Sequence, residues 1–156
     1  MTKSTVGTKS LAAIVLDANV VLKWLLADEE GREQAGRLRD SVVDGDLQPF
    51  APSHLPLELA AGLIRAARRG RLANDVVLPA LDAFAQMQFE LVDVASITTE
   101  ASAMALSLGL SVYDAAYLVV GMHVGAPVVT ADATVHRISS DAGHDVVLLA
   151  ELPALT

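Results

Sequence analysis

The 156-residue sequence has no cysteine, which excludes disulfide cross-links and thiolate metal sites while leaving the compartment open. Aromatic residues make up only 4% against 53% hydrophobic overall, so the core must be built from Ala, Val and Leu. No apolar stretch reaches the length of a membrane span, because Asp17, Lys23 and Asp28 interrupt the best candidate. The opening residues MTKSTVGTKS lack the apolar segment of a secretion signal and read as a loose tail. Neither a GxxxxGKS/T nor a GxGxxG phosphate loop is present, and no Ser-His-Asp or Cys-His arrangement suggests nucleophilic catalysis. Cations are outnumbered, with 11 Lys and Arg against 19 Asp and Glu and a net charge of −8. That balance argues against a protein that coats nucleic acid through a broad basic surface. A local basic groove remains open, as does a polyanion site in which bound cations neutralise carboxylates. A soluble, cytoplasmic protein is expected, with residues 1–12 as a flexible tail and 13–156 as one domain.

What the sequence does contain is a succession of short apolar runs separated by helical patterns. Ile14, Val15 and Leu16 form an unbroken run of the kind found in a strand buried on both faces of a parallel sheet. Similar runs occur near residues 48–51, 89–94, 126–130 and 145–149. Helices are expected over 20–27, 29–43, 54–69, 76–87, 96–108, 115–124 and 133–138, the fourth capped by Asn74 or Asp75 and the fifth closed by Gly109. Alternating strands and helices predict an α/β fold, with a mainly parallel central sheet between two helical layers.

In such a domain, ligands bind at the carboxyl ends of the strands. Asp17 stands where the first strand stops and Asp132 directly follows another. Glu58 falls among leucines at the start of one helix, and Asp114 begins a second. Each has an ordinary reading on its own. Asn19 and Asp132 can be helix caps, and Asp114 can be an acid favoured by a helix dipole. Together the four acids fall on one side of the sheet. Converging carboxylates repel by roughly 4 kcal/mol per pair at about 4 Å and an effective dielectric near 20, and a divalent cation removes that conflict. All-oxygen ligands without Cys or a well-placed His favour Mg²⁺ or Mn²⁺ over Zn²⁺. Phosphodiester hydrolysis is the chemistry such a site suits.

Two further features stand near these acids. Arg65 lies on the helix stripe of Glu58, and Arg68, Arg69 and Arg71 cluster where that helix ends. They are either solvated cations at a helix C-terminus or a patch that holds phosphates. His54 precedes the same helix, within reach of the cleft, whereas His123, His136 and His144 read as surface or packing residues.

The blocks VLDANVVLKWLL, PLELAAGLIRAARRGRL, LSVYDAAYLVVG and PVVTADATV, in that order, resemble the PIN domain and in particular the VapC-like toxins of toxin–antitoxin pairs. The resemblance spans residue 14 to the end. It implies a three-layer α/β/α fold and a metal-dependent endoribonuclease in which Asp17, Glu58, Asp114 and Asp132 bind Mg²⁺ or Mn²⁺. It also implies that Asn19 and Thr130 are the polar companions of the first and last acids, with Thr130 orienting the last acid or a water. RNA would be the substrate, with Arg65, Arg68, Arg69 and Arg71 on its backbone. A cognate antitoxin would cover the groove with a basic side chain, and a homodimer would be the usual assembly. The alternative is a catalytically inactive PIN-like module that binds RNA or protein. A phosphoacceptor signalling domain fits less well, since the first strand ends in a lone Asp and no Lys follows Lys23.

Overall fold

The computed structural model describes residues 11–152; the expected tail therefore lies mostly outside the described residues, and the first strand takes up its last residue. The elements are β1 (Ala12–Leu16), α1 (Ala18–Leu25), α2 (Arg32–Val43), β2 (Leu47–Pro52), α3 (Leu55–Arg68), α4 (Val77–Ala85), β3 (Glu90–Val92), α5 (Val94–Leu108), α6 (Val112–Val124), β4 (Val128–Thr130), α7 (Ala133–Asp141) and β5 (Val146–Leu148). Single 3-10 turns cover Asn74–Val76 and Leu149–Glu151. The five strands form one sheet in the order β3-β2-β1-β4-β5, and every neighbouring pair is parallel. The expected three-layer α/β/α architecture is the one observed.

Strand order explains where the site lies. From β1 the chain steps outward to β2 and β3, then crosses back over to β4 on the other side of β1. The connections leave the carboxyl ends of β1 and β4 in opposite directions, which opens a crevice between them. Right-handed crossovers then put the helices before β3 on one face and those after it on the other.

β1 is central, so both its faces are covered. Val15 and its register partner Val128 face α6, where Gly121 comes so close that an added Cβ would lie 2.8 Å from a Val128 methyl. α6 is apolar on all sides, as a helix between the sheet and α5 must be: Ala115 to Gly121 are all buried. On the opposite face, Trp24 of α1 donates its indole N–H to the carbonyl of Ala35 on α2 at 2.6 Å and packs against Phe89. α3 meets α1 through another small residue, Gly62, whose missing side chain makes room for Leu22.

Several boundaries differ from the sequence expectation. α1 starts two residues earlier than the pattern suggests, so its N-cap is Asp17 and Asn19 sits inside the first turn. Residues 74–76 form a 3-10 turn ahead of α4 rather than its cap. α5 begins at Val94 because the Asp93 carboxylate accepts the Ala95 N–H. Among the described residues no single helix is long and apolar enough to cross a membrane.

Candidate active site

Asp17 ends β1 and, although it is the N-cap of α1, its carboxylate does not cap that helix. It turns instead toward β4. The Thr130 hydroxyl, fully buried, donates to Oδ2 at 2.9 Å, and the Asn19 amide donates to the same oxygen at 3.2 Å. Asn19 also donates to Thr130 Oγ1 at 3.3 Å and accepts the Ala131 N–H on its own Oδ1 at 2.9 Å. Thr130 Oγ1 further accepts the Asp132 N–H. This closed set of bonds fixes the ends of β1 and β4 to each other and holds the acid in one orientation.

Asp17 is only 5% exposed, and its pKa is raised from 3.8 to about 7, chiefly by burial and also by the charges of Asp114 and Glu58, against the lowering effect of the Thr130 bond. Asp114, in the first turn of α6, is half-buried. Its pKa is raised by burial and by the charges of Asp132 and Glu58, while its contact with Ser111 opposes the rise. The Ser111 hydroxyl caps the helix by accepting the Asp114 N–H at 3.1 Å.

Glu58 lies in the first turn of α3, directly after β2. Its Oε1 accepts the hydroxyl of Tyr117 at 2.7 Å. Nε2 of His54 lies 2.8 Å from the same oxygen, out of line for a hydrogen bond and with no other partner. Burial and the charges of Glu58 and Asp17 keep the Tyr117 hydroxyl far above its usual pKa, so it remains a donor. Asp132 is exposed, and its Oδ1 caps α7 by accepting the N–H groups of Thr134 and Val135. The cap reading of that residue therefore holds for one of its two oxygens.

All four acids stand at one end of the sheet and feel one another's charge. Among the described residues, however, no three acidic or histidine side chains close on a common point as a metal cage would. The donor set is composed of hard oxygens, and the most buried of them is held near neutrality by desolvation. That chemistry fits a hard divalent cation, which would draw the carboxylates together.

The arginines divide. Arg65, Arg68 and Arg69 are exposed on or just past α3. Arg71 is engaged elsewhere: Nε and Nη2 donate to Asp28 at 2.9 and 2.8 Å, and Nη2 donates to Glu29 at 2.7 Å. The Arg71 guanidinium lowers the pKa of both acids and is itself raised by them. Among the other histidines, His123 pairs with Glu100 at 2.7 Å on the surface.

His54 lies where the sequence puts it, within reach of the cleft, whereas Tyr117 and Ser111 are parts of this site that the sequence reading does not single out. The spacings Asp114 to Tyr117 and His54 to Glu58, three and four residues along a helix, carry the signal.

A family model for the PIN domain matches residues 14–140. The chain belongs to the PIN domain family. Solved structures share its fold at low identity. PAE2754 from Pyrobaculum aerophilum is 17% identical with a TM-score of 0.65, over 89% of this chain and 90% of that one. VapC20 from Mycobacterium tuberculosis, a toxin that cleaves the sarcin–ricin loop, is 18% identical with a TM-score of 0.64, over 84% and 95%. VapBC2 from Rickettsia felis, solved with a DNA fragment from its promoter, is 15% identical with a TM-score of 0.61, over 87% and 96%. No curated protein matches by sequence. In this PIN domain the Asp17–Thr130 contact lies at the crevice between β1 and β4, the position the strand order selects.

Proposed function

We propose that this PIN-domain protein is a metal-dependent endoribonuclease that hydrolyses RNA phosphodiester bonds. It acts in the cytoplasm as the toxin of a toxin–antitoxin pair, restrained by a cognate VapB-like antitoxin. The observation that carries this reading is Asp17, a carboxylate buried at the strand crossover, oriented by two donors and pushed to about pKa 7 by burial and by two neighbouring acids. A purely structural role gives no reason to bury an acid among acids. Folds shared with the RNA-cleaving VapC20 and with VapBC2 support the same reading.

Asp17 and Asp114 would be the principal ligands of Mg²⁺ or Mn²⁺, with Glu58 binding the metal or orienting the attacking water. Asp132 would contribute the oxygen that does not cap α7. When bound, the cation supplies charge neutralisation at the scissile phosphate and makes water a nucleophile near neutral pH. Thr130 and Asn19 hold Asp17 in place, and Tyr117 holds Glu58. Arg65, Arg68 and Arg69 would attract the RNA backbone. The exposed Leu57, Leu78 and Leu106 supply apolar surface for a homodimer partner or an antitoxin segment.

Purified, antitoxin-free protein should cut a mixed cellular RNA pool into discrete products in Mg²⁺ or Mn²⁺. Those products should vanish with EDTA and with Asp114→Asn. Persistence of cleavage in either control overturns the reading. The spread of the carboxylates favours one alternative, a PIN-like module that binds RNA or protein without cutting. Calorimetric titration with Mn²⁺ separates the two, because such a module has no need to bind the ion.

A further inference from the structure

The chain has six aromatic residues, and five of them are buried or half-buried. The exception is Tyr113, which is 58% exposed. It immediately precedes Asp114 in the first turn of α6, so the chain's single exposed aromatic ring stands beside an acid of the candidate site. Its orientation is set from beneath. The His54 ring meets Tyr113 edge-on, with centroids 5.5 Å apart and planes at 76°, and meets buried Tyr117 in the same manner, at 5.5 Å and 87°. His54 in turn lies against Glu58. A continuous set of contacts therefore runs from Tyr113 through His54 to Glu58 and Tyr117. Tyr113 and His54 also border a cavity of about 180 Å³ between α5, α6 and the start of α3, whose other walls are mainly apolar, among them Val94, Ile97 and Val112.

We propose that Tyr113 is a stacking platform for an unpaired nucleobase of the RNA next to the scissile phosphate, with His54 as the positioning residue that holds the ring. The inference rests on the ribonuclease reading and names what that site would recognise besides phosphate. A flat, polarisable ring held in a fixed pose matches a base face, which proteins that bind single-stranded RNA engage by stacking on aromatic side chains. The mainly apolar cavity behind the ring suits a base and offers little to a phosphate. A base in a duplex is already stacked on both faces, so the platform selects unpaired segments.

The test uses fluorescence anisotropy of a labelled oligouridylate in Ca²⁺, with the full-length protein and its Tyr113→Leu and Tyr113→Phe variants. Tyr113→Leu should weaken binding roughly tenfold or more, the range of one lost base–aromatic stack. Tyr113→Phe should retain binding, because stacking needs the ring and not the hydroxyl. The same oligomer paired with oligoadenylate should bind weakly and be insensitive to both variants. Equal binding by wild type and Tyr113→Leu overturns the proposal, as does equal loss in both variants or no binding by wild type. A change in oligomeric state on light scattering in Tyr113→Leu alone, with RNA binding intact, would also overturn it by assigning the ring to a protein interface. Mn²⁺ calorimetry and RNA cleavage on the same proteins keep the two readings distinct. Wild-type cleavage with a silent Tyr113→Leu sinks only the platform. Tyr113-dependent binding without cleavage sinks the nuclease and leaves Tyr113 as a base-stacking residue of an RNA-binding module.

Discussion

The hydroxyl of Thr130 lies 2.9 Å from the carboxylate of Asp17, 113 residues earlier in the chain. This bond stabilises the charged form of an acid that burial pushes toward neutrality, so the ionisation of Asp17 depends on β4 as much as on β1.

Thr130→Val keeps the shape of the side chain and removes its oxygen. Asp17 loses a donor, and the Asn19 amide and Asp132 N–H lose an acceptor. A destabilisation of about 1–3 kcal/mol is expected from unsatisfied buried groups. Mn²⁺ affinity at neutral pH should fall and should recover partly as pH rises, because the Asp17 pKa is then higher still. Calorimetry across pH 6–9 and thermal melts check both effects.

The metal-free protein should lose stability as pH rises from about 4 to about 7. Asp17 ionises at 3.8 in the ordinary case but near 7 when folded, so within that window the folded chain holds a proton the unfolded chain has released. At about 1.4 kcal/mol per unit the penalty reaches a few kcal/mol above pH 7 and disappears below pH 4. Asp17→Asn removes it. Denaturant titrations in EDTA should find the variant more stable than wild type at pH 8 and the gap closed near pH 4.

Tyr117→Phe deletes the donor to Glu58 without emptying the core. The fold should persist, while turnover on RNA falls about tenfold, the order expected when a hydrogen bond to a charged group is lost. Single-turnover rates with matched melting curves test this.

The arginines should separate by salt. Replacing Arg65, Arg68 or Arg69 with Ala should weaken RNA binding and flatten its dependence on ionic strength. Arg71→Ala should leave both nearly unchanged, since its guanidinium is held by Asp28 and Glu29. At such an exposed site, where solvent screens the pair, the melting temperature should barely move.

Much of this arrangement is legible in the sequence because it is local. The run Ile14–Val15–Leu16 announces a buried parallel strand, and an acid at its end falls where such sheets bind ligands. What escapes is set by partners distant in sequence. Asn19 reads locally as a cap and only the resemblance makes it a companion of Asp17; its bonds to Thr130 and Ala131 emerge once β4 is placed beside β1. Arg71 belongs by position to a basic cluster, and only the fold reveals its counterions Asp28 and Glu29, 43 and 42 residues away. Tyr117 reads as one more core residue of an apolar helix until α3 is placed against it.

The candidate site joins residues distant in sequence, with Asp17 meeting Thr130, 113 residues away, across β1 and β4 and Glu58 meeting Tyr117, 59 residues away, across α3 and α6. A nascent chain that has passed Glu58 carries half of the acids but neither the strand nor the helix that orients them. Synthesis proceeds from the N-terminus, and contacts this distant in sequence form late in folding. The crossover back to β4 therefore acts as a timer: a truncated or stalled chain ending before that strand would carry three of the four acids without Thr130, which holds the first of them in place.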